Sequence, residues 1–288
     1  MDFTKMQGAG NDFVVIESSD TQRDWSQLAV AMCDRHLGIG ADSLLVLLPS
    51  KVAGFKMCIF DADGSEAEAC GNGIRCLAKY IFEKGLVGSG TDRILIETLA
   101  GIRTVRLYKN EGNLTKVQAN MGEPKFRADD IPIEDKPGKG SLVDITYMLS
   151  YHITVDDTDL VLNLVSMGNP HAVYFYQNPV ANFPLSQLGP EVEKLAAFTN
   201  RTNFEVARVL SRQKIEARVW ERGVGETMAC GSGACAITVA AKLLGYVDDK
   251  VDVTLPGGTL GVEWKGTGEV LLSGPTEKIF EGNWPDEV

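Results

Sequence analysis

Two short cysteine segments carry the residue types and spacing that could do chemistry in this sequence. Ala69-Cys70-Gly71-Asn72-Gly73 recurs as Ala229-Cys230-Gly231-Ser232-Gly233, at an offset of 160 residues. Each segment is followed by a largely apolar stretch, 74–82 and 234–244, that ends near a glycine and is typical of a buried helix. The pattern therefore predicts that each cysteine lies at the N-terminus of a helix.

A cysteine at a helix N-terminus is suited to acid–base chemistry. The unpaired N–H groups and the helix dipole stabilise a thiolate, so we expect the pKa of both thiols to lie below the usual value of about 8.5. The adjoining glycines let an anion such as a carboxylate approach the backbone closely. Two such thiols, one ionised and one protonated, suit inversion of a carbon centre, because one removes a proton from one face and the other delivers a proton to the opposite face. The same N–H groups would stabilise the carbanion as it extends into the substrate carboxylate.

Each thiol needs an assisting group, and the sequence offers two candidates. His171 lies in Gly168-Asn169-Pro170-His171, whereas His36 and His152 have no comparable setting. Glu221 precedes Arg222, whose guanidinium suits a second substrate carboxylate. The short amides that could hold an ammonium or a carboxylate are Asn11, Asn72, Asn169 and Asn203.

The duplication extends beyond the cysteines. The shift of 160 residues also pairs Asp61 with Glu221 and Ser43 with Asn203, and a shift of 158 pairs Gly10-Asn11 with Gly168-Asn169. A repeat of this length predicts two structurally similar halves, each with one Cys-Gly-x-Gly segment.

The apolar patterns predict alternating strands and helices in each half. In the first half we expect strands at 13–16, 44–48, 55–60, 94–98 and 104–107, and a helix at 25–33. In the second half we expect strands at 160–165, 172–176, 206–210, 215–220, 251–255, 260–264 and 270–272, and a helix at 191–197. The segment 128–140, rich in Asp, Pro, Lys and Gly, is predicted to be a loop or the boundary between domains.

Composition excludes several classes of protein. The 288 residues are 44% hydrophobic and 23% charged, which excludes wholesale disorder. The net charge of −11 disfavours binding to nucleic acid. The apolar runs are far shorter than the ~20 residues that span a bilayer, and the start lacks the pattern of a signal peptide. We therefore expect a cytoplasmic protein that does not bind membranes, with its six cysteines as reduced thiols.

Together these segments resemble a known family. They include Gly8-Ala9-Gly10-Asn11-Asp12-Phe13, Gly38-Ile39-Gly40-Ala41-Asp42, Ala62-Asp63-Gly64-Ser65, Gly168-Asn169-Pro170-His171, Glu221-Arg222-Gly223 and the two cysteine segments. In order and spacing they are similar to diaminopimelate epimerase.

The resemblance implies an isomerase that interconverts LL- and meso-diaminopimelate without pyridoxal phosphate, for lysine and peptidoglycan synthesis, and that forms a homodimer. It implies an α+β fold of two pseudo-symmetric domains, each a mixed β-sheet or barrel wrapped around a central helix. We place these at 1–127 with 277–288 and at 128–276.

The resemblance also assigns roles to residues. It makes Cys70 and Cys230 the base and acid, with His171 and Glu221 as their partners. The residues implied in substrate binding are Asn11, Ser43, Asp61, Gly71, Asn72, Asn169, Asn203, Glu221, Arg222, Gly231 and Ser232. Gly71-Asn72 and Gly231-Ser232 would hold the reacting carboxylate. Ser43 and Asp61 depart from the family, which commonly has Gln and Asn there, and Asp61 could bind the distal ammonium or only lie beside the cleft.

Other interpretations remain open from the residues alone. The cysteines could be buried structural thiols, His171 a hydrogen-bonded loop histidine, and Glu221 and Arg222 a surface ion pair. A zinc site using Cys70, Cys76, Cys230 and Cys235 is disfavoured, because the spacings are not those of structural zinc sites. We expect no metal and no cofactor. The alternative functions are a related racemase acting on proline or a hydroxyproline, and a non-catalytic module that binds thiols or metals.

Overall fold

The chain divides into two compact units. The computed structural model describes residues 1–68, 70–134, 140–145 and 148–285. Unit 1 comprises residues 1–120 and 273–288, and unit 2 comprises residues 121–272. Within the predicted loop at 128–140, residues 128–130 form a 3₁₀ turn, and residues 135–139 lie outside the described residues. The division of domains at 127/128 and 276/277 stays a prediction.

Unit 1 consists of strands with two helices. Its elements are β1 (Asp2–Gly8), β2 (Asn11–Glu17), α1 (Ser26–Cys33), β3 (Ser43–Leu48), β4 (Phe55–Asp61), β5 (Glu66–Ala67), α2 (Gly71–Glu83), β6 (Arg93–Thr98), β7 (Gly101–Asn110) and β8 (Asn113–Asn120). The residues of β3 are all buried, which matches their continuous apolar run.

Unit 2 is likewise built of strands and helices. Its elements are β9 (Gly140–Ile145), β10 (Met148–Val155), β11 (Thr158–Ser166), β12 (Pro170–Phe175), α3 (Leu185–Glu193), β13 (Asn203–Ser211), β14 (Lys214–Glu221), β15 (Gly225–Thr227), α4 (Gly231–Leu243), β16 (Lys250–Leu255), β17 (Gly258–Glu263) and β18 (Leu271–Ser273). A final strand, β19 (Glu277–Asn283), belongs to unit 1, where it pairs antiparallel with β1.

The two units share one topology. In unit 1, β2 pairs parallel with β3, β3 antiparallel with β4, β4 antiparallel with β5 and parallel with β6, and β6 antiparallel with β7. In unit 2, β12, β13, β14, β15, β16 and β17 repeat these relationships in the same order. The helices occur at matching places, with α1 and α3 before the second of these strands and α2 and α4 after the fourth. The predicted pseudo-symmetric α+β fold is therefore confirmed.

Helices α2 and α4 lie at the centre of their units. Helix α2 packs on β1, β7 and β8, and α4 packs on β11, β12 and β17. Two residues after each helix ends, a glycine has positive φ, +70° at Gly85 and +75° at Gly245. The next N–H bonds back to the helix, from Leu86 to the Ile81 carbonyl at 3.1 Å and from Tyr246 to the Ala241 carbonyl at 2.9 Å. The C-terminal ends of these helices require a residue with positive φ, and glycine adopts this conformation at no steric cost.

One predicted helix is misplaced. The helix expected at 191–197 is observed at Leu185–Glu193. Its buried residues Leu185, Leu188 and Val192 lie three and four residues apart, so they form the apolar stripe that packs on β13 and β14. Pro190 lies inside this helix, where a break would be the usual interpretation. In the part of the chain that the structure describes, no helix is long and apolar enough to cross a membrane.

Candidate active site

The two cysteines cap their helices with the same geometry. Cys70 precedes α2 with φ −136° and ψ 117°, and Cys230 precedes α4 with φ −118° and ψ 118°. Each Sγ accepts the N–H of the glycine three residues on, Gly73 or Gly233, at 3.3 Å. A thiol therefore occupies the place that a Ser or Asp oxygen usually takes at an N-cap, and it faces the unpaired N–H groups of the first turn.

Three predicted residues of unit 1 lie together around Cys70. The Cys70 thiol is 3.6 Å from Oδ1 of Asn11, and the side-chain amide of Asn72 donates to the same oxygen at 3.5 Å. Arg75, which is fully buried, donates to Oδ1 of Asn72 and to the carbonyl of Gly71, both at 2.9 Å. The first turn of α2 is thus held by a side chain of its own second turn.

The amide of Asn11 has a fixed orientation. Its Nδ2 donates to Oδ2 of Asp42 at 2.6 Å, and the same oxygen accepts the N–H of Asp12 at 3.0 Å. Arg35 donates to Oδ1 of Asp42 at 2.6 Å and bonds Asp12 as well. Asp42 was not a predicted site residue, although the Gly-Ile-Gly-Ala-Asp segment that contains it was part of the resemblance.

Ser43 and Asp61 bond to each other. They are opposite one another in the β3–β4 ladder, and the Ser43 hydroxyl donates to Oδ1 of Asp61 at 2.8 Å. Burial raises the pKa of Asp61 above its ordinary value, and the Ser43 hydroxyl opposes that shift. Ser43 and Asp61, both predicted to bind substrate, thus form one polar pair.

Cys230 lies in a more buried and more acidic setting. Its side chain is buried, and this burial raises the pKa of its thiol well above the usual value. The carboxylates of Glu221 and Glu205 raise it further, while the Ser232 hydroxyl and the Gly233 N–H lower it. The expectation of a lowered pKa is therefore wrong for Cys230, since desolvation outweighs the helix N-terminus.

Glu221 is a partner of Cys230 and not half of a surface ion pair. Its carboxyl group interacts electrostatically with the Cys230 thiol, and Thr227 donates to its Oε1 at 2.5 Å. Burial raises the pKa of Glu221, and the Thr227 bond opposes this rise. Arg222 instead donates to the carbonyl of Asn200 at 3.1 Å.

His171 lies on β12 and is fully buried, so it is not a loop histidine. Its Nδ1 is 2.6 Å from Oε1 of Glu205, and its Nε2 is 3.0 Å from Oδ1 of Asn169. Asn169 in turn donates to the hydroxyl of Ser232 at 3.4 Å. Sequence reasoning missed Glu205, and the available signal was an acidic residue inside the apolar run of β13.

Asn203 holds the loop that carries Arg222. Its Nδ2 donates to the carbonyl of Pro170 at 2.8 Å, and its Oδ1 accepts the N–H of Arg222 at 2.9 Å. Its side chain is buried, so these bonds join β12 to the end of β14. The geometry gives Asn203 a role in placing the Arg222 backbone.

The remaining cysteines are buried in the cores of the units. Burial raises the pKa of Cys33 and of Cys76 to about 12, and Cys235 is fully buried within α4. Over residues 1–68, 70–134, 140–145 and 148–285, no three His, Cys, Asp or Glu side chains converge in a way that could hold a metal ion.

The fold is shared with several solved structures. A Bacillus anthracis phenazine biosynthesis protein of the PhzF family matches with a TM-score of 0.70 and 17% identity, over 98% of each chain. A hydroxyproline epimerase from Agrobacterium vitis matches with a TM-score of 0.70 and 14% identity, over 98% of this chain and 91% of that one. A probable proline racemase from Agrobacterium radiobacter gives 0.69 and 14%, over 99% and 93%. At these identities the likeness defines the fold class alone.

Sequence comparison identifies the family within that class. The profile described as diaminopimelate epimerase matches residues 3–127 and 163–279. Diaminopimelate epimerases of Pelotomaculum thermopropionicum and Caldanaerobacter subterraneus are 46% and 44% identical, over 99% and 98% of both chains. One from Methanococcus maripaludis is 42% identical over 98% of this chain and 99% of its own. The chain belongs to the diaminopimelate epimerase family and is an isomerase.

Proposed function

We propose that this protein interconverts LL- and meso-2,6-diaminopimelate on the route to lysine and peptidoglycan precursors, by a two-base mechanism with Cys70 and Cys230. The observation that carries this proposal is the duplicated cysteine cap. The same N-cap conformation and the same 3.3 Å bond to a glycine N–H occur once in each unit. Two equivalent thiols are what a reaction at opposite faces of one carbon requires.

The proton balance of the step is simple. The thiolate of one cysteine takes the α-proton, and the electron pair of the C–H bond moves into the substrate carboxylate. The thiol of the other cysteine then protonates the opposite face, so one thiol is gained and one is lost. In the free enzyme the raised pKa of Cys230 favours its thiol form, which supports Cys70 as the resting thiolate. His171 and Glu221 are the groups proposed to assist the cysteines.

The proposed substrate contacts follow the polar groups near the cysteines. The reacting carboxylate binds at the N–H groups of the two helix ends, where Gly71-Asn72 and Gly231-Ser232 let it approach the backbone. Arg222 binds the distal carboxylate, and Asp61 with Ser43 binds the distal ammonium. The other residues proposed to contact substrate are Asn11, Asn169, Asn203 and Glu221.

We also propose the domain division, the oligomeric state and the location of the protein. We propose half-site domains at 1–127 with 277–288 and at 128–276, a homodimer, and a cytoplasmic location, with no nucleic-acid or membrane partner and no cofactor. None of the six cysteines, all of which the structure describes, forms a disulfide, which suits a reducing compartment. Light scattering coupled to size exclusion should give twice the 31.2 kDa chain mass, and a mass of one chain would contradict the homodimer.

The decisive experiment is turnover of LL-diaminopimelate in deuterated water without added cofactor. A thiol exchanges with solvent, so the meso product should carry deuterium at the inverted carbon. Product without deuterium would point to direct transfer, and no product would contradict the function. L-Proline and trans-4-hydroxy-L-proline serve as substrates that the protein should not turn over.

Cysteine variants test the two-base assignment. Cys70→Ala and Cys230→Ala should each lose at least about 10³-fold in turnover, since loss of a catalytic proton donor or acceptor costs 10²–10⁴-fold. Cys58→Ala removes a buried thiol of β4 and should retain turnover. Near-normal activity in either cysteine variant would leave the mechanism with a single base.

A further inference from the structure

A buried chain of hydrogen bonds connects Glu205 to Cys230. Glu205 contacts Nδ1 of His171 at 2.6 Å, and Nε2 of His171 lies 3.0 Å from Oδ1 of Asn169. Nδ2 of Asn169 donates to Oγ of Ser232 at 3.4 Å, and that Oγ is 3.4 Å from Sγ of Cys230. Five side chains thus form one continuous path: Glu205 on β13, His171 on β12, Asn169 just before β12, and Cys230 and Ser232 at the start of α4.

The path has a direction. Oδ1 of Asn169 can only accept, so Nε2 of His171 must carry a proton. Since Nδ2 of Asn169 occupies a lone pair of the Ser232 oxygen, the hydroxyl proton of Ser232 is available to Cys230. From Nε2 of His171 onward, each bond can then donate toward the thiol, and Ser232 can stabilise the thiolate that remains after Cys230 gives up its proton.

Glu205 sets this direction at its start. Both Glu205 and His171 are fully buried, and with Nε2 protonated the 2.6 Å contact requires one more proton between Nδ1 and Oε1. The pair therefore carries no net charge, whether the proton lies on the ring or on the carboxyl group. A lone carboxylate would be costly at this depth. The second oxygen, Oε2, has no hydrogen-bond partner among the described residues, so Glu205 is held by His171.

The space around Glu205 shows how closely it is fitted to α4. A Cβ added at Gly233 would lie 3.0 Å from Oε1 of Glu205 and 3.3 Å from Sγ of Cys230. Helix α4 can approach this carboxyl group only because position 233 has no side chain.

We propose that Glu205 is a positioning residue, which fixes the protonation and ring orientation of His171 and through Asn169 keeps the Ser232 hydroxyl donating to Cys230. The inference rests on the proposed function only for its effect on turnover. In this arrangement His171 acts on Cys230 through two intermediates, while Glu221 acts on the same thiol directly.

Turnover gives the first test, through a double-mutant cycle. Glu205→Gln should lower kcat about tenfold with little change in KM, as expected for a hydrogen bond to a charged group. The double variant Glu205→Gln/Ser232→Ala should lose less kcat than the two single losses multiplied together, because both changes break the same path. Asn169→Ala breaks the path in the middle and should also be non-additive with Ser232→Ala.

Glu193→Gln is the matched control for this cycle. Glu193 is a buried glutamate that accepts hydrogen bonds from Trp220 and Gly223, and its effect on kcat should add to that of Ser232→Ala.

A spectroscopic test is independent of turnover. In the wild type, ¹⁵N-resolved NMR should show a far-downfield, slowly exchanging ring proton on Nδ1 of His171, assigned by its loss in His171→Gln. Glu205→Gln should abolish this signal while the amide spectrum stays folded. Additive effects in the cycle, or a Glu205→Gln protein with the signal and kcat of the wild type, would overturn the inference. If the wild type does not turn over LL-diaminopimelate, the proposed function fails and the ring-proton signal alone decides the role of Glu205.

Discussion

Asn11 donates its side-chain amide to Asp42 across 2.6 Å, and this bond decides which atom of Asn11 faces Cys70. With Nδ2 engaged, Oδ1 is turned toward the thiol at 3.6 Å and toward Asn72 at 3.5 Å. Arg35 holds the Asp42 carboxylate from the other side. The Gly-Ile-Gly-Ala-Asp segment thereby gains a physical role, as support for a residue that is proposed to bind substrate.

Loss of that support should weaken substrate binding. In Asp42→Asn, one oxygen is replaced by an NH₂ group that cannot accept from Asn11 or Arg35. Because a hydrogen bond to a charged group contributes about 1.5–3 kcal/mol, KM for LL-diaminopimelate should rise about tenfold, with a smaller change in kcat. Steady-state kinetics check this. Asp248→Asn breaks a comparable Asp–Arg pair in unit 2 and should leave KM unchanged, whereas an unchanged KM in Asp42→Asn would show that Asn11 needs no such support.

Sequence patterns predicted the parts of this fold that repeat or alternate. The duplicated cysteine segments predicted two helix N-termini, and both cysteines are N-caps. Apolar runs predicted the buried strands, such as β3, because such runs report burial directly. Strands with mixed polar sequences were missed, including β1 and β8, since their polar residues are held by pairing with neighbours that only the fold defines.

The candidate site was predicted less completely, for a similar reason. Most of the residues named from the sequence lie in or beside glycine-containing segments, which are conspicuous. Glu205 and Asp42 are bonded to His171 and Asn11, 34 and 31 residues away, so their roles depend on tertiary contacts that spacing cannot reveal. The pKa of Cys230 was misjudged because the helix N-terminus is visible in a sequence, whereas burial beside two carboxyl groups is not.

The cysteines should differ in their rates of alkylation. Iodoacetamide reacts with thiolates, and burial holds Cys33 and Cys76 at a pKa of about 12 and raises the pKa of Cys230 well above its usual value. The half-buried Cys70 at its helix N-terminus should therefore be labelled first at pH 7.5. Peptide mass spectrometry over a time course measures this, with urea-unfolded protein as the control in which all six cysteines react. Labelling of Cys230 before Cys70 would reverse the proposed resting thiolate.

The bond from Thr227 should control the acidic limb of the pH profile. Burial raises the pKa of Glu221 and the Thr227 hydroxyl lowers it, so Thr227→Val should raise it further. The carboxylate then forms only at higher pH, and the acidic limb of kcat/KM should move upward in pH. His171, Glu205 and Cys230 also face Glu221 and are unchanged in this variant.

The matched control for that profile is Thr254→Val. Thr254 is exposed and bonds Thr259 across the β16–β17 ladder, so its loss should leave the limb in place. An acidic limb at the wild-type position in Thr227→Val would mean that another group titrates there.

Gly233→Ala should reveal how closely α4 is fitted to the acidic groups beside it. Alanine is favoured over glycine inside helices by about 1 kcal/mol, so an open site would gain stability. At position 233 the added Cβ would meet Glu205 Oε1 at 3.0 Å and Cys230 at 3.3 Å; both groups are buried, and a shift of Oε1 would disturb its 2.6 Å contact with His171. We expect a net loss of about 1–3 kcal/mol in the free energy of unfolding, as for other overpacked sites, together with lower turnover.

The equivalent change in unit 1 provides the comparison. At Gly73 the first contact is Cδ2 of Leu45 at 3.2 Å, a methyl group that makes no hydrogen bond, so Gly73→Ala should cost less stability than Gly233→Ala. Gly90→Ala meets nothing within 4 Å and should change neither stability nor turnover. Urea unfolding followed by fluorescence, with turnover measured on the same samples, ranks the three variants. If Gly73→Ala and Gly233→Ala lower the free energy of unfolding equally, then any Cβ three residues after a cysteine cap is destabilising. The contact with Glu205 would then not explain the effect at position 233.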